Sequence, residues 1–453
     1  MTNMSKGQPL KTLYLCYFGL REPLVQTQVL PYLRQLSASG EVEVFLLTFE
    51  PDKRRAWPAP EEADWRARLA ADGIRWFSLP YHKSPSALVT PYDIVRGAWE
   101  AARLARRYGI DVLHARGHLG MAMALLARRG ANVRLLFDIR GLLAEEYEEA
   151  GVWTKNSPQF RAVCAVERAG LKRAEQLIVL TRRLRDRLVE HKLARAEQIE
   201  VIPCCVDFAR FEAKHGNNNN DGGRRAEEGE TRVDRQSFAK TEAGTGKDTA
   251  TGAGTDTKAE RFEVVSAGSV TGLYLLEEMG RFFLALKRQR PDAFLRILTM
   301  SSPADTAATL ERVGLGAEDF WIGAVRPAEV PVYLRRARFG LSFRKATFSQ
   351  IAASPTKIPE YLAAGLPTIC NAGIGDTDEI LTRERVGVIV RDFDEASFDE
   401  AARAALALAE DEELSARCRE TAYRYFDLVN IGGVGYRNAY RRLAAECAVA
   451  ETP

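Results

Sequence analysis

The sequence predicts an α/β protein built from two doubly wound parallel-sheet domains of the Rossmann type that face each other across a cleft. Short apolar runs alternate with helix-length segments, one long polar stretch interrupts this alternation, and the alternation then resumes. The 453 residues, 46% hydrophobic and 28% charged, are enough for two ordinary cores. Because open sheets of this kind bind ligands at the carboxyl ends of their strands, we expect a site between the domains.

Seven apolar runs predict the strands of the first domain, which we place at residues 1–212. Each run is followed by a loop or by a helix-length stretch of mixed polarity, a pattern typical of βαβ units. The runs are LYLCYF, VEVFLLTF, IRWFSLP, DVLHA, RLLFDI, QLIVLT and IEVIP.

A polar segment separates the two halves of the chain. Residues 213–261 are rich in Asn, Gly, Thr and charge, and they carry few large apolar side chains. Such a segment cannot bury enough apolar surface to offset its ordering entropy, so we predict a disordered linker. The second domain, residues 262–427, is predicted from the runs FEVVSAGS, FLRILT, FWIGA, FGLSF, PTICN and VGVIV.

Charge, cysteine usage and the first residues restrict the function classes. The net charge of +3 lacks the concentrated basic excess of nucleic-acid binders. Seven scattered cysteines without a C-x-x-C pair argue against a disulfide framework and a zinc site, and they fit a reducing cytoplasm. The first apolar run is too short to span a bilayer and lacks a cleavage region, so we expect neither a signal peptide nor a transmembrane span.

The segment SPTKIPEYLAAGL carries the strongest ligand signal in the chain. Ser354 suits an N-cap and Pro355 suits the first helical position, so we predict a helix that begins at Ser354. The amides of a helix start attract phosphate, and Lys357 adds a charge near Thr356 and Glu360 on the same face. A diphosphate cradle with a carboxylate for ribose is one interpretation; an ordinary amphipathic helix with a surface Lys and Glu is the other.

Several segments, taken in order, resemble the family 4 glycosyltransferases, and specifically a subgroup with D-x-R-G and S-P-T-K-x-x-E motifs. The segments are DVLHARGHLG, FDIRGLLAEEYEEAGVW, VIPCCVDFARF, VSAGSVTGLY, SPTKIPEYLAAGLPTICNAGIGDTDEI, GVIV and RYFDLVNIGGVGYRNAYRRL. The resemblance implies the two-domain GT-B fold, with residues 428–453 forming a terminal helix that crosses back to the first domain. It also implies retaining, metal-independent transfer of a sugar from a nucleotide-diphosphate sugar to a glycan or lipid-linked acceptor, in surface polysaccharide or glycolipid synthesis. The nucleotide sugar is then a co-substrate, and we expect no cofactor.

On the donor side, the resemblance assigns the loop at Gly268 and Ser269, the residues Ser354, Thr356, Lys357 and Glu360, and the turn at Gly375 and Asp376. Two departures stand out. The Arg and Lys that commonly follow the glycine loop are missing, so Lys357, helped by Arg344 or Lys345, would hold the diphosphate. Ala352 stands at the first carboxylate position of the family's E-x(7)-E element.

The candidate catalytic residues are Lys357 on the donor side and Asp138, Arg140 and His118 on the acceptor side. The candidate acceptor-binding residues are Arg116, Glu145 and Glu146. His114 lies inside a predicted strand and is interpreted as a core histidine, whereas His118 is expected in the loop that follows. Asp138 and Arg140 are expected in the cleft, although a structural ion pair is the alternative. Glu145 and Glu146 are expected in a loop, either on a solvated acidic face or as hydrogen-bond partners of the acceptor.

One charged stretch suggests a partner. Residues 161–195 contain ten Lys or Arg against four Asp or Glu on helical segments, which predicts either a peripheral contact with the inner membrane face or a solvated basic helix pair. No metal is predicted. The alternatives to a transferase are a non-catalytic nucleotide- or sugar-binding protein on a degenerate scaffold, and another GT-B enzyme such as an epimerase or a phosphorylase.

Overall fold

The structure is a computed structural model that describes residues 9–51, 58–82, 86–212 and 261–450. Most of the segment predicted as a linker, residues 213–260, therefore lies outside the described residues. None of the described helices has the combination of length and apolar character needed to cross a membrane.

Every apolar run singled out in the sequence forms a strand, and the fold-class prediction is confirmed. The strands lie in two parallel sheets of seven and six strands. Their bounds are β1 Leu10–Cys16, β2 Val42–Pro51, β3 Ile74–Tyr81, β4 Val112–Arg116, β5 Arg134–Asp138, β6 Gln176–Val179, β7 Ile199–Val201, β8 Phe262–Ala267, β9 Ala293–Leu298, β10 Phe320–Gly323, β11 Phe339–Ser342, β12 Thr368–Asn371 and β13 Gly387–Val390.

Both sheets have the doubly wound strand order. The first runs β3-β2-β1-β4-β5-β6-β7 and the second runs β10-β9-β8-β11-β12-β13. The order reverses between β1 and β4 in one sheet and between β8 and β11 in the other. Ligands of such sheets bind in the crevice at these reversal points, beyond the carboxyl ends of the strands.

Helices cover both faces of each sheet. They are α1 Pro23–Gln28, α2 Leu30–Ala38, α3 Ala59–Ala71, α4 Ser86–Tyr108, α5 Gly117–Ala127, α6 Leu143–Glu149, α7 Pro158–Arg173, α8 Arg182–Glu190, α9 Ala209–Glu212, α10 Leu276–Gln289, α11 Pro303–Arg312, α12 Val330–Arg336, α13 Lys357–Ala363, α14 Thr377–Glu384, α15 Glu395–Ala409, α16 Leu414–Phe426 and α17 Val434–Ala450. Two 3₁₀ turns, Ala196–Gln198 and Phe348–Ala352, and a π-helical turn, Leu428–Gly433, complete the elements.

Strand β1 shows how each sheet feeds two cores. Leu13 and Leu15 pack into the core beneath α4 and α5, whereas Tyr14 and Cys16 pack into the core on the other face. The near-continuous apolar character of the strand follows from burial on both faces.

The last helix, α17, packs on the first sheet although it follows the second domain in sequence. Tyr440 is buried in the first domain, where its hydroxyl lies 2.8 Å from the Thr12 hydroxyl and 2.9 Å from Nδ1 of His114. The segment that leads back to this helix pairs with the segment that leaves the first domain: the Val206 amide donates to the Phe426 carbonyl at 2.8 Å, and the Leu428 amide donates to the Val206 carbonyl at 3.1 Å. The two crossing segments therefore run side by side.

Candidate active site

A bare loop and a buried cation meet at the reversal point of the second sheet. Gly268 and Ser269 follow β8 directly and are exposed. Gly268 has φ +98°, which favours glycine, and a Cβ placed there would lie 3.8 Å from Cε of Lys357. The structure therefore brings together the glycine loop and the lysine that the sequence proposed for the donor.

Lys357 is only 4% exposed, and its surroundings are cationic and aromatic. Its Nζ donates to the Ser269 carbonyl at 3.4 Å and lies 4.0 Å from the ring centroid of Tyr274. The Arg344 guanidinium lies 4.7 Å from the same ring and donates to the Tyr274 hydroxyl at 3.1 Å. Burial, and then repulsion from Arg344, lower the pKa of Lys357 to about 7, although Glu360 opposes the shift. An anionic ligand bound at the loop would pair with both cations and raise the pKa of Lys357 again.

The helix predicted to begin at Ser354 begins at Lys357 instead, with Thr356 in the cap position. The Ser354 hydroxyl does not cap the helix; it accepts a hydrogen bond from the Cys204 amide at 3.1 Å. Ser354 thus joins the second domain to the segment that leaves the first one, and the predicted N-cap is corrected for that reason. Thr356 makes no side-chain cap hydrogen bond within the described residues.

Glu360 is already in an ion pair. Its Oε1 accepts from Nη1 of Arg210 at 3.0 Å, and both side chains are partly exposed. Arg210 belongs to α9, at the end of the first domain's described chain. A ribose at Glu360 would share this carboxylate with Arg210 or displace it. Sequence reasoning missed Arg210, because nothing local marks it as a partner of a residue so far along the chain.

In the turn at Gly373, Gly375 and Asp376, which was assigned to the donor side, the amides of both glycines already have partners. The Gly373 amide donates to Asp378 at 3.0 Å, and the Gly375 amide donates to the Gln350 carbonyl at 2.8 Å. At Gly375 φ is +49°, and a Cβ there would overlap the Ala353 carbonyl. The glycine is therefore required for packing.

The Asp376 carboxylate is used across the domain boundary. It accepts from the amides of Arg182 at 2.7 Å and Arg183 at 3.2 Å, which are unsatisfied donors in the first turn of α8. The Arg183 guanidinium also pairs with Asp378 at 2.7 Å. The contacts explain Asp376 as a cap for a helix of the other domain, a role that the sequence analysis did not consider.

Glu149 of the first domain makes a similar contact with the second domain. Its carboxylate accepts from the Thr347 hydroxyl at 2.6 Å and from the Ser349 amide at 2.9 Å, at the start of a 3₁₀ turn in the second domain. Glu149 was also missed from the sequence, because an acidic residue at the end of a short helix gives no sign of its partner.

We expect Glu149→Gln to lower the free energy of unfolding by about 2 kcal/mol, because hydrogen bonds to a charged acceptor are among the stronger ones. Equilibrium urea denaturation measures this change. Glu190→Gln, at the exposed end of α8, is the matched control and should change stability by less than about 0.5 kcal/mol. Equal stability of both variants would show that Glu149 does not stabilise the domain contact.

Asp138 is fully buried in a cluster of polar side chains and does not lie in the cleft where it was expected. Its Oδ2 accepts from the Tyr436 hydroxyl on α17 at 3.2 Å. Its carboxylate also lies 3.4 Å from Nη1 of Arg140 and 3.6 Å from Nη1 of Arg116. The hydrogen bond from Tyr436 connects α17 to the carboxyl end of β5, where Asp138 is the last residue.

The remaining members of the cluster fit the same interpretation. Nε2 of His114 lies 3.7 Å from Asp138, and burial, the largest influence, lowers the pKa of His114. The structure thus confirms His114 as a core histidine. It also shows the structural ion pair that was the alternative for Asp138 and Arg140, and Arg116 belongs to the same pair network.

His118 was predicted to lie in a loop, but it lies in the first turn of α5. Its Nε2 is 2.8 Å from the Glu167 carboxylate on α7, and its ring meets Phe137 edge-on at 5.7 Å. Strand β4 ends at Arg116 and α5 begins at Gly117, so no loop separates them. The φ of +65° at Gly117, which favours glycine, allows this sharp turn.

Glu145 and Glu146 lie on helix α6, not in a loop, and they face different surroundings. Burial raises the pKa of Glu146, whereas Arg344 of the second domain lowers it. Glu146 of the first domain therefore interacts electrostatically with Arg344 of the second domain. Burial also raises the pKa of Glu145, whose Oε2 is buried without a hydrogen-bond partner among the described residues.

Glu145 borders an open groove of about 760 Å³ between α6 and α7. The groove combines carboxylates, guanidinium groups and one aromatic ring, which together suit a polyhydroxylated ligand. Its lining residues are Glu145, Pro158, Phe160, Arg161, Ala162, Cys164, Glu167 and Arg168.

Part of the basic stretch 161–195 contacts the second domain. Arg182 and Arg183 pair with acidic residues of that domain, and Arg187 lies over the Phe348 ring at 4.6 Å. The positive charge of α8 is therefore partly neutralised, whereas Arg161, Arg168, Lys172 and Arg173 on α7 are exposed.

Comparison with known proteins agrees with this architecture. Residues 25–205, which form most of the first domain, match the family model described as a glycosyl transferase 4-like domain. No curated protein matches the chain in sequence.

Solved structures share this two-domain fold. Sucrose-phosphate synthase from Thermosynechococcus elongatus is 17% identical, with a TM-score of 0.62 over 96% of this chain and 100% of that one. Anabaena Alr3699/HepE in complex with UDP-glucose is 12% identical, with a TM-score of 0.61 over 96% and 100%. WaaG, a glycosyltransferase involved in lipopolysaccharide biosynthesis, is 16% identical, with a TM-score of 0.60 over 94% and 98%.

The protein therefore has the two-domain GT-B fold of glycosyltransferases. The match of its first domain to a glycosyl transferase 4-like domain supports the glycosyltransferase class and the part of the predicted resemblance that falls within residues 25–205.

Proposed function

We propose that the protein is a glycosyltransferase that moves a sugar from a nucleotide-diphosphate sugar to a glycan or lipid-linked acceptor, with retention and without a metal. Surface polysaccharide or glycolipid synthesis is the process we infer. One protein of similar fold, Anabaena Alr3699/HepE, is solved with UDP and with UDP-glucose, which supports a nucleotide sugar as the donor.

The observation that carries this proposal is Lys357. A lysine that is 4% exposed and lies beside Arg344 is held at an energetic cost unless a negative group joins it. The bare loop at Gly268 and Ser269 lies against the lysine side chain, so a diphosphate bound there would neutralise both cations. As the bond to the sugar breaks, negative charge grows on the diphosphate, and the same cations stabilise the leaving group.

The acceptor is proposed to enter from the first domain. Glu146 lies near Arg344, and the groove beside Glu145 offers hydrogen-bonding groups and the Phe160 ring to a sugar. The buried, unpaired oxygen of Glu145 would accept from an acceptor hydroxyl. His118 would act through Glu167, which lines the same groove. The protein's contribution is then to position the two substrates and to stabilise charge.

The donor test is thermal denaturation of the wild type and of Glu360→Ala with UDP, GDP, ADP and CMP. A ligand at about a hundred times its dissociation constant adds roughly 2.7 kcal/mol of stability, which is readily detected. We expect one nucleotide to stabilise the wild type and to stabilise Glu360→Ala much less, because that variant loses the carboxylate for ribose. Glu400→Ala, exposed on α15, is the control and should respond like the wild type. Failure of every nucleotide would overturn the donor site.

The second candidate is a non-catalytic nucleotide- or sugar-binding protein on the same scaffold. It is favoured by the fully buried Ala352, which stands where the family's first carboxylate would be, and by the ion pair that occupies Glu360. A nucleotide that binds but yields neither transfer nor donor hydrolysis would select this candidate. Activity that disappears in Lys357→Ala would exclude it.

A further inference from the structure

Helix α4 exposes an apolar stripe that no other described element covers. Tyr92, Val95 and Trp99 are 55%, 62% and 63% exposed, and their spacing of three and then four residues places them on one face of the helix. The opposite face, including Ala98, Ala101 and Leu104, is buried in the core of the first domain. The stripe therefore cannot turn inwards to hide its apolar surface.

The charge that follows this stripe along the helix is mostly positive. Toward its carboxyl end the helix carries four arginines and one glutamate outside its buried face: Arg96, Arg103, Arg106, Arg107 and Glu100. Glu100 already pairs with Arg103. The exposed side of α4 is thus an aromatic and aliphatic patch that continues into a cationic one.

We propose that this face of α4, from Tyr92 to Arg107, docks on an anionic lipid surface. Tyr and Trp prefer the headgroup level of a bilayer, where their rings are buried and their polar atoms stay hydrated. Arginines next to them add electrostatic attraction to anionic headgroups. Together these are the features of a helix that lies in a membrane interface.

The positive charge of α4 also argues against a second copy of the chain as the partner that binds this face. A symmetric dimer through α4 would bring the same face of each copy together, and the arginines of one copy would oppose the arginines of the other. An anionic surface compensates that charge, whereas a second copy does not.

The position of the stripe relates it to the substrate cleft. The Tyr92 ring lies 5.5 Å from the ring of His82, which directly follows β3 at the carboxyl edge of the first sheet. That edge is where a doubly wound sheet binds its ligand. Docking through α4 would therefore bring the acceptor side of the protein next to the lipid surface. The docking itself does not depend on the proposed transfer reaction, because it requires no nucleotide sugar.

The test is flotation of the full chain with vesicles of phosphatidylcholine alone and of phosphatidylcholine mixed with phosphatidylglycerol. The wild type is expected to float with the anionic vesicles at physiological salt. Val95→Ser/Trp99→Ser should weaken the partition at least about tenfold through lost apolar burial. Arg96→Gln/Arg107→Gln should weaken it about fivefold per arginine, and the preference for anionic vesicles should shrink. All four side chains are at least partly exposed, and an unchanged thermal transition shows that each variant is folded.

Two matched controls locate the effect. Met300→Ser removes an 85% exposed apolar side chain from the second domain and should float like the wild type. Arg168→Gln/Lys172→Gln removes charge from α7 and should retain most of the binding. The proposal is overturned if the wild type stays in the soluble fraction, or if only the α7 variant loses binding. It is also overturned if light scattering shows a dimer that Val95→Ser/Trp99→Ser dissociates.

Discussion

Binding of a nucleoside diphosphate near pH 8 is expected to take up close to one proton in the wild type and none in Lys357→Met. Burial and Arg344 lower the pKa of Lys357 to about 7, so the amine is mostly neutral at pH 8. The bound diphosphate favours the ammonium form and raises the pKa again. Because the last phosphate ionisation lies near pH 6, the free ligand is already fully charged at pH 8.

Isothermal titration calorimetry in buffers of different ionisation enthalpy measures this proton uptake. Affinity should also fall with rising pH above about 7, by up to tenfold per pH unit, because the free protein must first bind a proton. Lys172→Met, an exposed change on α7, is the control and should behave like the wild type. Proton uptake of equal size in Lys357→Met would show that another group is responsible.

Lys357 should also make the stability of the ligand-free protein depend on pH. The folded pKa of about 7 lies below the ordinary value of 10.5, so the unfolded chain binds more protons between these two pH values. Stability of the wild type relative to Lys357→Met should therefore rise as the pH increases from 7 toward 10.5. The cost of the buried charge is fully present below pH 7, at roughly 5 kcal/mol. Urea denaturation of both proteins across this range measures the difference.

Asp138→Asn is expected to lower the free energy of unfolding by about 3–5 kcal/mol. The change leaves the buried Arg116 and the largely buried Arg140 without their counter-ion, which is among the most costly kinds of single substitution. It also weakens the hydrogen bond from Tyr436, which ties α17 to the first sheet. Urea denaturation measures the loss, and Asp72→Asn, in a partly exposed pair with Arg34, should cost less than about 1 kcal/mol.

The direction in which pH changes the stability contributed by Asp138 can also be predicted. Burial alone, the largest influence, would raise the pKa of Asp138, but Arg140, His114 and Arg116 together hold it well below its ordinary value of 3.8. A lowered carboxyl pKa stabilises the fold above the ordinary pKa, and that stability is lost as the pH falls below it. If Asp138→Asn kept full stability and lost only transfer activity, Asp138 would be a catalytic residue and the structural interpretation would be wrong.

The sequence allowed every strand and the fold class to be predicted, because alternation of apolar and polar segments reports burial directly. The resemblance to family 4 glycosyltransferases placed Lys357 and the loop at Gly268 together on the donor side, and in the structure the two lie next to each other. The strands and the fold class depend on local pattern and on the general geometry of parallel sheets.

The features that were predicted wrongly or missed depend on distant parts of the chain. Ser354 is a good N-cap by its residue type, yet its hydroxyl bonds to Cys204, 150 residues earlier. Asp138 ends a strand whose carboxyl edge faces a cleft in the general fold, but here α17 covers it with Tyr436. Asp376 looked like part of a glycine turn and in fact caps a helix of the other domain. Residue type and spacing carry no information about such partners.

The paired crossing segments at Val206 and Phe426 make the covalent path between the domains partly redundant. The second fragment of a chain cut anywhere in residues 213–260 would still contain α17, which is buried in the first domain through Tyr436 and Tyr440. Both fragments would remain joined by that helix and by the backbone hydrogen bonds at Val206. The first domain is therefore assembled from two parts of the chain that lie on either side of the second domain in sequence.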